Sequence, residues 1–176
     1  MGCTRSPFSG GFRCCAFCTG PVNPDVITLA HMPSFKIIQN VGVGPVKLGM
    51  TRQQVRSSLI DCPDLDQKAS PTLDYAYGNS LQIEYDSDGN VRFIGIGYST
   101  GCGCDYEFCG RHIGDYTAQE LFELLSELDG GNHVYNPDSY FFPRIMMNAW
   151  EADEQYDSRN RESNPVYGQV GIANRE

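Results

Sequence analysis

The chain is poor in the residues on which many enzymes and nucleic-acid-binding proteins depend. Its 176 residues include three histidines and one tryptophan, and 13 lysines and arginines stand against 22 acidic residues, for a formal net charge of −9. Binding to phosphates needs a basic face, so this charge argues against nucleic acid as a partner. A basic protein partner is compatible with it.

Long apolar runs are also missing. No run approaches the ~20 residues that a membrane-spanning helix needs, although 40% of the residues are hydrophobic, which is enough for a core. The length suits one ordinary domain or two small fused units. Because no clear export signal is present, we expect a cytoplasmic protein.

The usual catalytic motifs are absent as well. There is no nucleophile elbow, and the three histidines are His31, His112 and His133. Cys109 and His112 are three residues apart, which does not establish a catalytic pair. The acidic residues lack the spacing of a calcium loop, and the glycine-rich stretch at 95–101 is not followed by a helix. We therefore predict a protein that is not an enzyme and holds no cofactor.

Residues 1–31 differ in composition from the rest of the chain. They contain four of the eight cysteines and little hydrophobic periodicity, and we predict a weakly ordered extension. Three explanations stay open: a translated leader ahead of a start at Met32, a processing segment, or a lipid-attachment site. The last rests on Gly2 and Cys3, which fit a myristoylation pattern with a neighbouring palmitoyl acceptor.

Cysteines cluster again at Cys102, Cys104 and Cys109. Cys102 and Cys104, together with Cys15 and Cys18, could supply four thiolates to zinc, although a single Cys-x-x-Cys knuckle is an unusual pattern. The alternatives are a local disulfide and free thiols. A zinc-stabilised or thiol-dependent protein built on this cysteine loop is thus the second functional hypothesis.

Two helix starts share one pattern. Thr51 and Gln54 form a predicted capping box, as do Thr117 and Glu120. Apolar residues follow each threonine by four and eight positions, so each helix has one apolar face. These residues are Val55, Leu59, Leu121 and Leu125.

Strand patterns follow both helices. Residues 81–85 and 91–97 alternate around the turn residues Asp88 and Gly89, which predicts a β-hairpin. We expect one strand within 140–153 and its partner within 164–174. The predicted fold class is therefore α+β, with two helix-plus-antiparallel-hairpin repeats, 32–100 and 101–176, forming one sheet with both helices on one face.

The stretches at 48–59 and 81–97 resemble the BamE/SmpA-like modules of bacteria, whose hallmark is a Gly-Met-Thr helix start with a valine four residues after the threonine. The tandem arrangement is similar to that of β-lactamase-inhibitory-protein-like proteins and of small acidic immunity proteins. The second copy departs from this pattern, because Gly114 is separated from Thr117 by two residues rather than one. The resemblance implies a non-catalytic module that binds a protein, as an inhibitor or immunity-type partner does.

The second face of the predicted sheet is the expected binding surface, since tyrosine and tryptophan supply contact area at a small entropic cost. Which side chains lie on that face depends on the strand register, and the sequence leaves the register open. The proposed partner-binding anchors are Tyr75, Tyr77, Tyr85, Tyr140 and Trp150.

Overall fold

A computed structural model describes residues 33–62, 64–65, 70–97, 104–136, 138–150, 156–157, 164–165 and 167–174. They all belong to the structural unit Met32–Glu176. The extension predicted for residues 1–31 lies outside the described residues, so the three explanations for it stay predictions.

Strands predominate in the described chain, and two α-helices interrupt them. The helices are α1 (Arg52–Ser58) and α2 (Ala118–Asp129), and a 3₁₀ turn spans Ile113–Asp115. The strands are β1 (Ser34–Ile38), β2 (Gly42–Val43), β3 (Val46–Lys47), β4 (Leu73–Ala76), β5 (Leu81–Tyr85), β6 (Val91–Gly97), β7 (Asp105–Phe108), β8 (Arg111–His112), β9 (Val134–Asn136), β10 (Ser139–Phe142), β11 (Met147–Trp150), β12 (Tyr156–Asp157), β13 (Asn164–Pro165) and β14 (Gln169–Ala173).

These strands form three sheets. A five-stranded sheet has the order β3-β2-β1-β7-β8, a seven-stranded sheet has the order β4-β5-β6-β14-β11-β10-β9, and β12 pairs with β13. The seven-stranded sheet is antiparallel throughout. In the five-stranded sheet, β1 and β7 run parallel.

The predicted fold class is wrong. The described chain is mostly β, with sheets of five and seven strands, instead of two helix-plus-hairpin repeats that share one sheet. The parallel pairing of β1 with β7 joins 34–36 to 105–107, and so links the two stretches that were predicted to be separate repeats. An alternating apolar pattern predicts a strand but not its partner, because pairing depends on residues far apart in sequence.

The second predicted hairpin also differs from the observed one. Residues 140–153 were predicted to hold one strand, but residues 139–150 fold back on themselves as the β10–β11 hairpin, with Met146 at a φ of 50° in the turn. Strand β14 then pairs with β11 on one side and with β6 on the other. It thereby joins the two hairpins into one sheet.

Both predicted capping boxes are confirmed. The Thr51 hydroxyl accepts a hydrogen bond from the backbone N–H of Gln54, and the Thr117 hydroxyl accepts one from the backbone N–H of Glu120. In return, the side chains of Gln54 and Glu120 accept from the backbone N–H of the respective threonine. Helix α1 ends after two turns, whereas α2 continues to Gly130, whose φ of 72° closes the helix in the left-handed conformation. The predicted hairpin over 81–97 is confirmed too.

One continuous core lies against a single face of the seven-stranded sheet, here called the inner face. Leu81, Ile83 and Tyr85 on β5 point into this core, while Gln82 and Glu84 alternate with them. The core also contains apolar residues of both helices and of the five-stranded sheet. The opposite side of the seven-stranded sheet is called the open face. In the part of the chain that the structure describes, no helix is long and apolar enough to cross a membrane.

Candidate protein-binding surface

Strand register sets the composition of the open face. One row of paired residues crosses all seven strands, and it consists of Tyr75, Gln82, Gly95, Gly171, Asn148, Phe141 and Val134. Two neighbouring rows flank the central row on the same face. Glu84 pairs with Phe93 in one of them, and Gln169 pairs with Trp150 in the other. The open face therefore mixes aromatic rings with amide side chains.

Two adjacent glycines form the middle of the central row. A Cβ added to Gly171 would collide with the ring of Phe93 and with Asn148 Oδ1, and one added to Gly95 would lie 2.6 Å from Gln169 Nε2. The glycines thus leave the space in which the neighbouring side chains lie flat on the sheet. A broad depression results instead of a surface of upright side chains.

A chain of hydrogen bonds runs across this depression. Gln169 Nε2 donates to Gln82 Oε1 at 3.1 Å, and Gln82 Nε2 donates to Glu84 Oε1 at 2.8 Å. Gln169 reaches over β6 because Gly95 has no side chain in between. Arg92 lies at a register shift between β5 and β6 and donates to Glu84 Oε2 at 2.9 Å.

The depression has a volume of about 1020 Å³. Its lining combines one tryptophan and one phenylalanine with amides, two carboxylates and an arginine; it comprises Gln82, Glu84, Asp86, Ser87, Arg92, Phe93, Asn148, Trp150, Gln169, Ala173 and Asn174. Aromatic residues and arginine are enriched in protein interfaces, and binding sites are commonly concave. Histidine and cysteine are missing from this lining as far as the chain is described.

Two of the five predicted anchors lie on the open face. Trp150 is 40% exposed and borders the depression. Tyr75 is half-buried in the central row, beside Gln82. These placements agree with the expected surface, although binding itself stays a prediction.

The other three predicted anchors face elsewhere. Tyr85 is buried on the inner face, where its hydroxyl donates to Asp74 Oδ2 at 2.9 Å and burial raises its pKa. Tyr77 follows β4 and packs on Phe35 with 5.3 Å between ring centroids. Burial and the nearby thiols of Cys62 and Cys104 raise the pKa of Tyr77 to about 12.

Tyr140 also points to the inner side. It stands opposite Ala149 and packs edge-on against Phe122 of α2, with 4.8 Å between the ring centroids. A tyrosine is as suitable for a core as for an interface, so residue type alone did not separate these positions.

Two arginines of α1 have a structural role that the sequence did not indicate. Arg52 Nε donates to Asp74 Oδ2 at 3.0 Å, and an Arg56 nitrogen lies 3.5 Å from Asp74 Oδ1. Burial alone would raise the pKa of Asp74, but the hydrogen bonds from Arg52 and Tyr85 and the two guanidinium charges lower it. These contacts to the buried Asp74 carboxylate attach α1 to the sheet.

The cysteine loop gives little support to thiol or zinc chemistry. Cys104 is buried and donates to the Tyr106 hydroxyl at 3.0 Å, while Cys109 lies exposed in the β7–β8 turn. Partial desolvation raises the pKa of Cys109, whereas an activated thiol has a lowered pKa. Cys15, Cys18 and Cys102 lie outside the described residues. Within the described ones, no group of three or more potential ligands could hold a metal ion.

His112 forms a pair that does not extend to a nucleophile in the described chain. Its Nδ1 lies 2.6 Å from Asp105 Oδ2 on the exposed side of the five-stranded sheet. His133 packs against the rings of Phe122 and Tyr140. Ser126 Oγ is 3.3 Å from its Nδ1.

Comparisons with known proteins found no matching family model, no matching curated protein and no matching solved structure.

Proposed function

We propose that this protein is a non-catalytic protein-binding module that holds its partner against the open face. One observation carries the proposal: in the described chain, the inner face of the seven-stranded sheet packs against the core that contains both helices, whereas the open face forms a depression of about 1020 Å³ that is bordered by the exposed Trp150. Tryptophan is enriched in protein interfaces, where apolar anchors lie beside polar groups.

The composition of the open face favours binding over catalysis. Its described carboxylates are already engaged, because Glu84 accepts from Gln82 and Arg92 while Asp86 accepts two backbone amides. A general acid or base needs a titratable group that can reach a substrate proton. Hydrogen-bonded amides and aromatic rings instead recognise a surface.

Charge supports a basic protein as the partner. The chain carries a formal net charge of −9, and opposite charge speeds association and suppresses wrong partners. We propose an inhibitor or immunity-type role, in which the open face covers a basic surface of an enzyme or toxin. The BamE/SmpA-like resemblance and the cytoplasmic location stay predictions that agree with this role.

Site-specific photo-crosslinking tests the proposal. A photoreactive phenylalanine analogue is introduced at Trp150 or Arg92 on the open face and, as matched controls, at Glu123 or Ile60, which are exposed elsewhere. Illumination of cells of the native host should give one discrete adduct from the first two positions. Adducts from Glu123 or Ile60 alone would contradict the proposal.

The adduct also provides the test of the inhibitor role. Mass spectrometry identifies the partner, whose activity is then measured with and without the purified chain. We expect the activity to fall in proportion to the chain added, and a Trp150→Ala chain to be a weaker inhibitor. A partner whose activity is unchanged would limit the proposal to protein binding.

A further inference from the structure

Three side chains form one corner of the open face, here called the acceptor corner: Trp150, Gln169 and Asn148. Trp150 pairs directly with Gln169 across β11 and β14, and Asn148 lies two residues before Trp150 on the same side of β11. Trp150 is the single tryptophan of the chain and is 40% exposed. An indole ring therefore lies beside two amides at the edge of the depression.

The hydrogen-bond chain leaves Gln169 with an available acceptor. Gln169 directs its Nε2 toward Gln82, which in turn donates to Glu84. The bonds thus run away from the acceptor corner and end on the carboxylate. Gln169 Oε1 receives no hydrogen bond from the described residues, so the carbonyl end of this side chain is open to a donor from outside.

Asn148 supplies the second acceptor of the corner, its side-chain oxygen Oδ1. Its Oδ1 is enclosed against Gly171 and the Phe93 ring, and no described residue donates to it. A buried acceptor without a hydrogen bond is unfavourable and is rare in native proteins. A donor that moves the Phe93 ring aside would satisfy it.

The charge of the depression that the corner borders favours a cation as that donor. Two carboxylates, Glu84 and Asp86, line the depression against one arginine, Arg92, which is itself paired with Glu84. The net charge of the chain has the same sign. A guanidinium group matches this setting, because it stacks on indole and donates several N–H groups in one plane, whereas the ammonium of lysine is more strongly hydrated.

We propose that the acceptor corner receives an arginine side chain of the basic protein partner. The guanidinium group lies on the Trp150 ring and donates to Gln169 Oε1 and, once Phe93 has moved, to Asn148 Oδ1. This inference rests on the proposed function, since it specifies which residue of a protein partner the open face recognises.

Short peptides separate this inference from the function on which it rests. The full chain is titrated with acetyl-Gly-Arg-Gly-Arg-Gly-amide and with the same peptide in which citrulline replaces arginine, which keeps the shape but removes the charge. The indole N–H signal of Trp150 and the side-chain amide signals of Gln169 and Asn148 are followed by NMR. We expect shifts at these three residues and a roughly three- to thirtyfold weaker Kd for citrulline.

Variants provide matched controls. Trp150→Leu should lower the affinity for the arginine peptide to that for the citrulline peptide, whereas Tyr135→Leu, which removes an aromatic ring that is 62% exposed outside the depression, should leave it unchanged. The NMR titration uses the wild-type chain, so the test remains valid if the Trp150→Leu variant is poorly folded.

The outcomes are distinct. Equal binding of both peptides, shifts confined to other residues, or no shift at about 10 mM peptide would each overturn arginine recognition. If photo-crosslinks from Trp150 and Arg92 still form in that case, the protein-binding function stands without this inference. If the crosslinks fail as well, both proposals are wrong.

Discussion

The two faces of the seven-stranded sheet are built from alternate residues of the same strands, yet they differ in chemistry. On β10, Phe142 is fully buried on the inner face, while its neighbour Phe141 lies half-buried in the central row of the open face. The inner face is aliphatic and aromatic, whereas the open face carries amides, glycines and Trp150. We infer that the inner face supplies stability and the open face supplies recognition.

The neighbouring phenylalanines provide the strongest test of this comparison. Phe142→Ala should lower the free energy of unfolding by about 3–5 kcal/mol, because it opens a cavity in the core. Phe141→Ala, the matched control on the same strand, should cost about 1 kcal/mol, because its ring is only partly buried. Urea unfolding followed by circular dichroism measures both values. Equal losses would contradict the assignment of the two faces.

A charged residue on the inner face gives the next largest effect. Asp74→Asn should cost about 1.5–3 kcal/mol, since it removes the negative charge of a buried carboxylate to which the partly exposed guanidinium group of Arg52 donates. The measurement is the free energy of unfolding at neutral pH. A variant as stable as the wild type would show that this ion pair does not hold α1 to the sheet.

The same residue predicts a pH dependence. The pKa of Asp74 is lower in the folded state, so the carboxylate stabilises the fold above its unfolded pKa near ~3.9, and this stability is lost as the pH falls through the folded pKa. The stability of the wild type should thus decline below about pH 4. Asp74→Asn should show a shallower decline, measured as thermal midpoints from pH 2 to 7 in ~1-unit steps.

Glycine positions on the open face sharpen the comparison further. Gly171→Ala should cost about 1–3 kcal/mol, because its methyl group would displace Phe93 and Asn148. Gly97→Ala is the control, since the nearest atom to its added Cβ would be Asn79 O at 3.6 Å. That variant should remain within about 0.5 kcal/mol of the wild type. Equal losses of stability in the two variants would contradict the role assigned to the two glycines of the central row.

Substitution of Trp150 should have the smallest effect on stability and the largest effect on binding. Trp150→Leu should lower the free energy of unfolding by less than about 1 kcal/mol, because the side chain is 40% exposed and leucine keeps part of its apolar contact. Affinity for the crosslinked partner should fall by about thirtyfold, as expected for the loss of an aromatic anchor. Calorimetric titration measures the second quantity. A variant that is unstable but binds normally would reverse our assignment of the two faces.

Sequence patterns predicted local features well and the arrangement of strands poorly. The Thr51 and Thr117 caps and the hairpin at Asp88-Gly89 depend on residues within a few positions of one another, and all three are present. The parallel pairing of β1 with β7 joins residues about seventy positions apart and has no local signal. This pairing joins the two stretches that were predicted to be separate repeats, and it is one of the contacts that contradict the predicted fold class.

The candidate site was predictable in part for the same reason. Alternation along β5 placed Gln82 and Glu84 opposite the core, and Trp150 and Tyr75 share their face. Phe93, Asn148 and Gln169 were missed, because their importance comes from the two glycines across which they lie. A glycine in a strand pattern indicates a close approach of neighbouring groups, and this signal was available at Gly95 and Gly171.

By itself, the amino-acid sequence determined where helices begin, which segments alternate and how acidic the molecule is, since each depends on composition or on short-range hydrogen bonding. The tertiary structure alone decided which strands pair, and with that which of Tyr75, Tyr77, Tyr85, Tyr140 and Trp150 face the core. A change of register by one residue turns every side chain of a strand to the opposite face. The open face is therefore a property of long-range pairing.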